Sequence, residues 1–374
     1  MKETRVIISG GGTGGHIFPA VSIANAIKEI RPNAKILFVG AEGRMEMQRV
    51  PAAGYEIKGL PVRGLIRPLW NPKNVGVLLD FLRSKKMVRN TIKEFRPQVA
   101  VGVGGYASAA TLNAAYEMGI PCLIQEQNSF AGLTNKTLAK KARKICVAYD
   151  GMERFFPKEN IILTGNPVRQ ELCGDITREE AAKVFGLSSN KPTILMIGGS
   201  LGARTLNNSI LSALKAIQES NVQFIWQTGS YYKETIKNEL EEKGKPENLV
   251  VMDFIKEMDK AYRIADLVIS RAGASSISEL CLLGKPSILV PSPNVSEDHQ
   301  THNAMALVNR EAAIIVRDDE AEKKLIPLAL QTVADTKKLE VLGTNARRMA
   351  LLDSARIIAE EVLKLADETE KQTR

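Results

Sequence analysis

The stretch Ser9-Gly10-Gly11-Gly12-Thr13-Gly14-Gly15-His16-Ile17-Phe18-Pro19 decides the fold. It follows the apolar run Val6-Ile7-Ile8, and the apolar positions after it (Ile17, Ala20, Val21, Ala24, Ile27) keep helical spacing. Strand, glycine turn and helix start in succession are how parallel α/β proteins build an anion site. Glycines let the backbone approach a ligand, and the N–H groups of a helix start carry partial positive charge. Pro19 is expected within the first helical turn, where a missing N–H costs little. His16 stands at the mouth of the turn, in a chain with three histidines.

Working outward, the same arrangement recurs. Val99–Val103 leads into Gly104-Gly105-Tyr106, and Thr193–Ile197 leads into Gly198-Gly199-Ser200-Leu201-Gly202-Ala203-Arg204. Each is also what a tight strand-to-helix connection looks like. Further strands are expected at Ile36–Val39, Cys122–Gln125, Ile145–Ala148, Val222–Thr228 and Leu249–Met252, and another strand before Arg271. Alternating strands and helices predict α/β architecture, and the echo of the turns predicts two Rossmann-like domains with parallel sheets facing across a cleft. A phosphorylated ligand is expected in that cleft. The stretch from Gly165 to about residue 175 reads as the linker, and Arg347 to Arg374 as a charged amphipathic helix.

Composition narrows the function. The chain has 374 residues, 44% of them apolar, enough for two cores. No apolar run approaches the length of a membrane span, and the N-terminus enters a strand directly, so a cytosolic chain is expected. Cys122, Cys146, Cys173 and Cys281 form no Cys-x-x-Cys pair and suit buried reduced thiols. The net charge is +9, but residues 1–165 hold 24 basic against 12 acidic side chains, while the rest hold 27 against 30. Such asymmetry predicts that the first half meets an anionic surface or substrate, or carries a solvated basic face. After the proline-rich loop Gly59–Asn74, the stretch Val75–Phe95 sets Val75, Leu78, Leu79, Leu82 and Val88 among Arg83, Lys85, Lys86, Arg89 and Lys93. That helix can lie on an anionic bilayer or pack on its own core. Nucleic acid is a poor partner, since aromatics are 5% of the chain and no basic reading helix is evident.

Candidate chemistry sits at strand ends. Gln125-Glu126-Gln127-Asn128 places four polar side chains at the C-terminal end of a strand, where parallel sheets bind ligands. Glu279 either closes a capping box with Ser276 or accepts from a ribose diol. His299 and His302 lack an evident third ligand for zinc. Gly10-x-Gly12-x-x-Gly15 matches a dinucleotide fingerprint, but the carboxylate expected about 20 residues on is misplaced, which disfavours an oxidoreductase. A Walker lysine and an Asp-x-Asp metal motif are both missing from the sequence. Helix dipoles and backbone N–H groups are therefore expected to neutralise a leaving diphosphate, with no metal and no cofactor.

These stretches, with Glu126-Gln127-Asn128, Ala131-Gly132-Leu133-Thr134-Asn135-Lys136, Gly165-Asn166-Pro167-Val168-Arg169 and Arg271-x-Gly273-Ala274 to Ser278-Glu279, run in order over nearly the whole chain. Together they resemble the peptidoglycan N-acetylglucosaminyltransferases that convert lipid I to lipid II. Gln125 and Leu201 depart from that family's pattern, where His and Gln are common; the second departure touches a donor contact.

The resemblance implies a GT-B fold: residues 1–165 form an acceptor and membrane-associating domain, completed by a helix at about 347–374, and residues 166–346 bind the donor. It implies inverting transfer of N-acetylglucosamine from UDP-N-acetylglucosamine (UDP-GlcNAc) to the 4-hydroxyl of the N-acetylmuramyl sugar of lipid I. Ile255 would lie beside the uracil and Glu279 on the ribose. Ser200, Ala274, Ser275, Ser276, Ile277 and Ser278 would surround the diphosphate. Asn128, Arg169, Gln300 and Asn303 would contact phosphate or sugar, with Thr13, Gly14 and Gly15 closing over the donor. Gly104, Gly105 and Tyr106 would meet the acceptor. His16 is the candidate base, or a phosphate or backbone contact, and Glu126 is the alternate base. The implied partners are the two substrates, the anionic cytoplasmic face of the inner membrane and other cell-wall synthesis proteins. Rival readings keep the fold and change the reaction, to a nucleotide-sugar epimerase or another UDP-sugar transferase.

Overall fold

A computed structural model describes residues 3–12, 14–64, 70–168, 172 and 174–372. The chain divides into two compact units, Met1–Val168 with Leu351–Arg374, and Arg169–Ala350.

In the first unit, β1 (Arg5–Ser9), β2 (Lys35–Ala41), β3 (Glu56–Leu60), β4 (Val99–Gly102), β5 (Cys122–Glu126), β6 (Lys144–Val147) and β7 (Ile161–Leu163) form one sheet. Its order is β3-β2-β1-β4-β5-β6-β7, parallel at every pairing. Val6, Ile7 and Ile8 are fully buried and pair with Ile36–Phe38 on one side and Val99–Val101 on the other. Helices cover both faces of such a sheet, which is why its central strands are continuous apolar runs rather than alternating ones. The direction of strand order reverses between β1 and β4, and open parallel sheets bind ligands beyond the strand ends at such a switch point.

The second unit repeats the plan. Its strands are β8 (Thr193–Ile197), β9 (Gln223–Gln227), β10 (Leu249–Met252), β11 (Leu267–Ser270), β12 (Ser287–Leu289) and β13 (Ile314–Ile315). They are parallel in the order β10-β9-β8-β11-β12-β13, with the switch point between β8 and β11. Each switch point thus receives two of the stretches that the sequence singled out.

Several expectations change. β3 and β7 were not legible, because they lie at sheet edges and are half-exposed; Glu56 and Lys58 interrupt the first. β12 and β13 are too short, at three and two residues, to leave a pattern. Pro19 lies inside the helix Gly14–Ile30, so Gly15 receives no helical N–H from position 19. Asn166 is buried and bonded to Gln125 and Gln127, so the segment read as a linker begins as part of the first unit's interior. Arg347 and Arg348 end the helix Thr336–Arg348, and the helix expected over Arg347–Arg374 runs over Ser354–Gln372, after Asp353 with its left-handed φ of 57°. This last helix returns to the first unit. Its Ile358, Ala359, Val362, Leu363 and Ala366 share a core with Ile17, Ala20, Ile23, Ala24 and Ile27 of the helix Gly14–Ile30. Arg31 donates to both oxygens of Asp367 at 2.8 and 3.0 Å, fastening the last turns.

Candidate functional site

At the first switch point the turns after β1 and β4 are interlocked. Val103 N donates to Ser9 O at 2.9 Å, and His16, in the first turn of its helix, places Nδ1 2.9 Å from Gly11 O. Gly104 has φ +101°, and a Cβ there would lie 2.8 Å from His16 Nε2, so this glycine makes room for the imidazole. Gly14 and Gly15 are the first two residues of the helix Gly14–Ile30, and Gly105 is the N-cap of the helix Tyr106–Glu117 with no side-chain cap. Tyr106 is half exposed beside Gly64. Thr13 lies outside the described residues. The sequence reading missed Glu46, a fully buried carboxylate that accepts from Gly12 N at 3.1 and 3.0 Å and from Ala41 N at 3.0 Å. One N–H of this glycine turn is therefore taken by the protein's own side chain.

The run Gln125-Glu126-Gln127-Asn128 is mostly internal, contrary to expectation. Gln125, Glu126 and Gln127 are buried. Gln125 Nε2 donates to Asn166 Oδ1 at 2.9 Å, Gln127 Nε2 to Val103 O at 2.9 Å and to Gln125 Oε1, and Asn166 Nδ2 to Gln127 O at 2.9 Å. Glu126 accepts from Asn128 N at 3.0 Å, Asn128 Nδ2 at 3.2 Å, Gly132 N at 3.1 Å and Asn135 Nδ2 at 2.9 Å. A carboxylate caged by four donors holds the loop 128–132 and is poorly placed to accept a substrate proton. Of the four, Asn128 alone is not buried.

At the second switch point, Gly202 N closes on Gly199 O at 3.1 Å, leaving Ser200 and Leu201 exposed. The helices Arg204–Leu211 and Ala274–Leu283 both begin without a side-chain cap, so their first N–H groups are presented toward the strand ends. Gln227, buried at the end of β9, donates to Gly199 O at 3.0 Å and accepts from Ile255 N at 2.9 Å, tying the glycine turn to the loop after β10. The Ile255 side chain is buried, so only its backbone can face a base; its neighbour Phe254 is the exposed apolar group of that loop.

The capping-box reading of Ser276 and Glu279 fails, because Gly273 is the N-cap and both residues lie inside the helix. A true box forms at Thr177 and Glu180. Glu279 instead accepts from the buried Tyr262 hydroxyl at 2.9 Å. Ala274 and Ile277 are buried, Ser275 and Ser276 partly exposed, and Ser278 Oγ donates back to Ala274 O at 2.9 Å. On the helix His299–Val308, Gln300 accepts from Ser292 N at 2.9 Å, and buried Asn303 donates to Ala272 O at 3.3 Å, so both brace strand-end loops. Arg271 donates to Val290 O at 3.0 Å and pairs with Asp318 at 2.5 Å. Asp318 also accepts from Thr205 at 2.9 Å. Arg169 lies outside the described residues.

Tyr262, Gln227 and Asp318 were missed because each is remote in sequence from the motif it supports. Among the described residues no three His, Cys, Asp or Glu side chains are grouped as for a metal ion. Burial pushes the thiols of Cys122, Cys146 and Cys281 up to about 12; Cys173 lies outside the described residues.

The helix Asn74–Phe95 splits the apolar set the sequence grouped together. Val88 is buried with Val77 and Ile92, whereas Val75, Leu78, Leu79 and Leu82 are more than half exposed, and Trp70 is 84% exposed. Lys85 pairs with Glu117 at 2.6 Å, and Arg89 pairs with the same carboxylate. Together these two cations hold the Glu117 carboxyl below the usual range. No helix among the described residues is long and apolar enough to cross a membrane.

Two parallel sheets whose first six strands follow the same order, each with glycine turns and uncapped helix starts at its switch point, define the GT-B type of fold, which glycosyltransferases and nucleotide-sugar epimerases share. The model of the glycosyltransferase family 28 N-terminal domain matches residues 6–147, and that of the family 28 C-terminal domain matches residues 193–361. The chain belongs to glycosyltransferase family 28. It is 64% identical over 368 residues to a Bacteroides fragilis protein named UDP-N-acetylglucosamine–N-acetylmuramyl-(pentapeptide) pyrophosphoryl-undecaprenol N-acetylglucosamine transferase. That match covers 98% of this chain and 96% of the relative. The crystal structure of Acinetobacter baumannii MurG is similar with a TM-score of 0.78 at 28% identity, over 96% of this chain and 99% of that one. A UDP-GlcNAc 2-epimerase from Neisseria meningitidis, at 13% identity and a TM-score of 0.67 over 97% and 100% of the two chains, shares the fold alone.

Proposed function

We propose that this chain transfers N-acetylglucosamine from UDP-GlcNAc to the 4-hydroxyl of the N-acetylmuramyl sugar of lipid I, giving lipid II and UDP. The observation that carries this reading is the 64% identity, along almost the full length of both chains, to a relative named for that transfer.

The donor belongs to the second unit. Its diphosphate would meet the exposed turn at Ser200 and the uncapped starts of the helices Arg204–Leu211 and Ala274–Leu283, whose N–H groups favour a leaving dianion. Glu279 would accept from the ribose hydroxyls, the backbone at Ile255 would meet the uracil, and Gln300 and Asn303 would hold the loops around the sugar. Arg169 and Asn128 remain candidate phosphate or sugar contacts. The acceptor belongs to the first unit, with Gly104, Gly105 and Tyr106 at its diphosphate and sugar. His16 takes the proton of the acceptor hydroxyl as that oxygen attacks the anomeric carbon from the face opposite UDP. The C–O bond to the diphosphate breaks, and UDP leaves with the electron pair.

The chain would work as a peripheral protein on an anionic membrane. Trp70, Val75, Leu78, Leu79 and Leu82 supply an apolar face beside Arg83, Lys86 and Lys93, a combination that binds anionic bilayers.

The test is UDP release from UDP-GlcNAc, with and without a short-chain lipid I analogue, in chelator. Release that requires the analogue supports the proposal. Release without acceptor would identify a hydrolysing epimerase, and donor binding without release would refute the acceptor.

A further inference from the structure

Gly11 and Gly12 share one peptide group, and side chains hold both of its polar ends. Its carbonyl accepts from His16 Nδ1 at 2.9 Å. Its N–H donates to both oxygens of Glu46 at 3.1 and 3.0 Å. Glu46 has no solvent exposure and reaches this peptide from the start of the helix Glu46–Ala52. Glycines clear the way: a Cβ on Gly11 would lie 2.0 Å from Glu46 Oε1, and one on Gly40 2.6 Å from Glu46 Cγ. Burying a carboxylate is costly unless donors surround it, and the donors here are the N–H groups of Gly12 and Ala41.

The direction of each bond follows from chemistry. A carbonyl oxygen only accepts, so Nδ1 of His16 carries a proton, and in the neutral ring the lone pair is then on Nε2, the nitrogen facing Gly104. A negative charge on the N–H side of a peptide pushes electron density toward its carbonyl oxygen, because linked hydrogen bonds polarise one another. We propose that Glu46 is a positioning residue that acts on His16 through the Gly11–Gly12 peptide. It fixes the Nδ1–H tautomer, leaves Nε2 as the proton acceptor and stabilises the imidazolium formed when Nε2 takes the acceptor hydroxyl proton. A carboxylate does the same for the histidine of a Ser-His-Asp triad, there by direct contact. The proton held on Nε2 passes to solvent after UDP leaves. This inference rests on the reading of His16 as the base.

Nitrogen NMR of protein labelled in its histidine rings tests the tautomer without altering Glu46. The chain has three histidines, so His16→Gln assigns the signal. Neutral His16 protonated at Nδ1 is expected; protonation at Nε2 overturns the proposal. Glu46→Gln keeps the side chain's size and one acceptor oxygen but removes the charge. It should lower kcat by about tenfold, as loss of a charge-assisted bond supporting a base would, and leave donor KM within about twofold. In a His16→Gln background it should cost nothing further, because the two residues act as one unit. Equal losses in both backgrounds would make Glu46 merely structural and overturn the inference. Full kcat in Glu46→Gln beside a crippled His16→Gln would sink the relay while sparing the base. A loss below about tenfold in His16→Gln would sink the base reading itself. If Glu46→Gln does not fold, the tautomer of His16 still tests the proposal, because protonation at Nε2 overturns it.

Discussion

Replacing Tyr262 with Phe isolates one oxygen at the proposed ribose site. Tyr262 is 1% exposed, and its hydroxyl donates to Glu279 Oε2 at 2.9 Å. Phe keeps the ring and its packing in the helix Met258–Ile264. A hydrogen bond to a carboxylate contributes about 1.5–3 kcal/mol net. The part that orients Glu279 is drawn on when the ribose diol binds, so about 1.4 kcal/mol of it corresponds to a tenfold weaker donor complex. Calorimetric titration of UDP-GlcNAc into Tyr262→Phe should therefore give a Kd about tenfold higher. The ribose is far from the bond that breaks and is held alike before and during reaction. Accordingly kcat at saturating donor should stay within about twofold. Urea unfolding should show a loss of about 1.5–3 kcal/mol for the same missing bond. A folded Tyr262→Phe with the parent Kd would refute the argument that Glu279 is held for the ribose. A fall in kcat at unchanged Kd would refute it equally.

His16→Ala should lower turnover by about a hundredfold or more while donor Kd holds, measured as single-turnover UDP release; a loss below about tenfold removes His16 as base. Leu79→Ser with Leu82→Ser should weaken sedimentation with phosphatidylglycerol vesicles about thirtyfold, from about 1 kcal/mol of apolar burial per half-exposed leucine. Turnover of a water-soluble acceptor should not change, and unaltered vesicle binding would take this helix off the membrane. The Arg31 guanidinium holds the Asp367 carboxyl below its ordinary value. The pair's stabilisation is thus present above the unfolded carboxyl's range near pH 4 and lost as pH falls through the depressed folded value. Asp367→Asn should cost about 0.5–1 kcal/mol at pH 7 by urea unfolding, the pair being partly exposed, and progressively less in acid. A cost independent of pH would refute the ion-pair account.

The sequence by itself determined the class of fold and the ends of the strands that matter. Parallel strands buried on both faces have to be apolar runs, and turns that bring a backbone to a ligand have to be glycine-rich, so both signals are local. That is why Val6–Ile8, Val99–Val103 and Thr193–Ile197 could be placed with the turns that follow them, and why the edge strands Glu56–Leu60 and Ile161–Leu163 could not. The chemistry of the turns was less legible. Gln125, Glu126 and Gln127 look like ligand-facing groups in a one-dimensional reading, yet they are buried partners of Asn135, Asn166 and Val103. Only the tertiary structure decided which polar groups bind one another and which are left for a ligand. Glu46 meets Gly12, Tyr262 meets Glu279, and Asp318 meets Arg271 across 34, 17 and 47 residues of chain, because strand order, not sequence order, sets what adjoins a switch point.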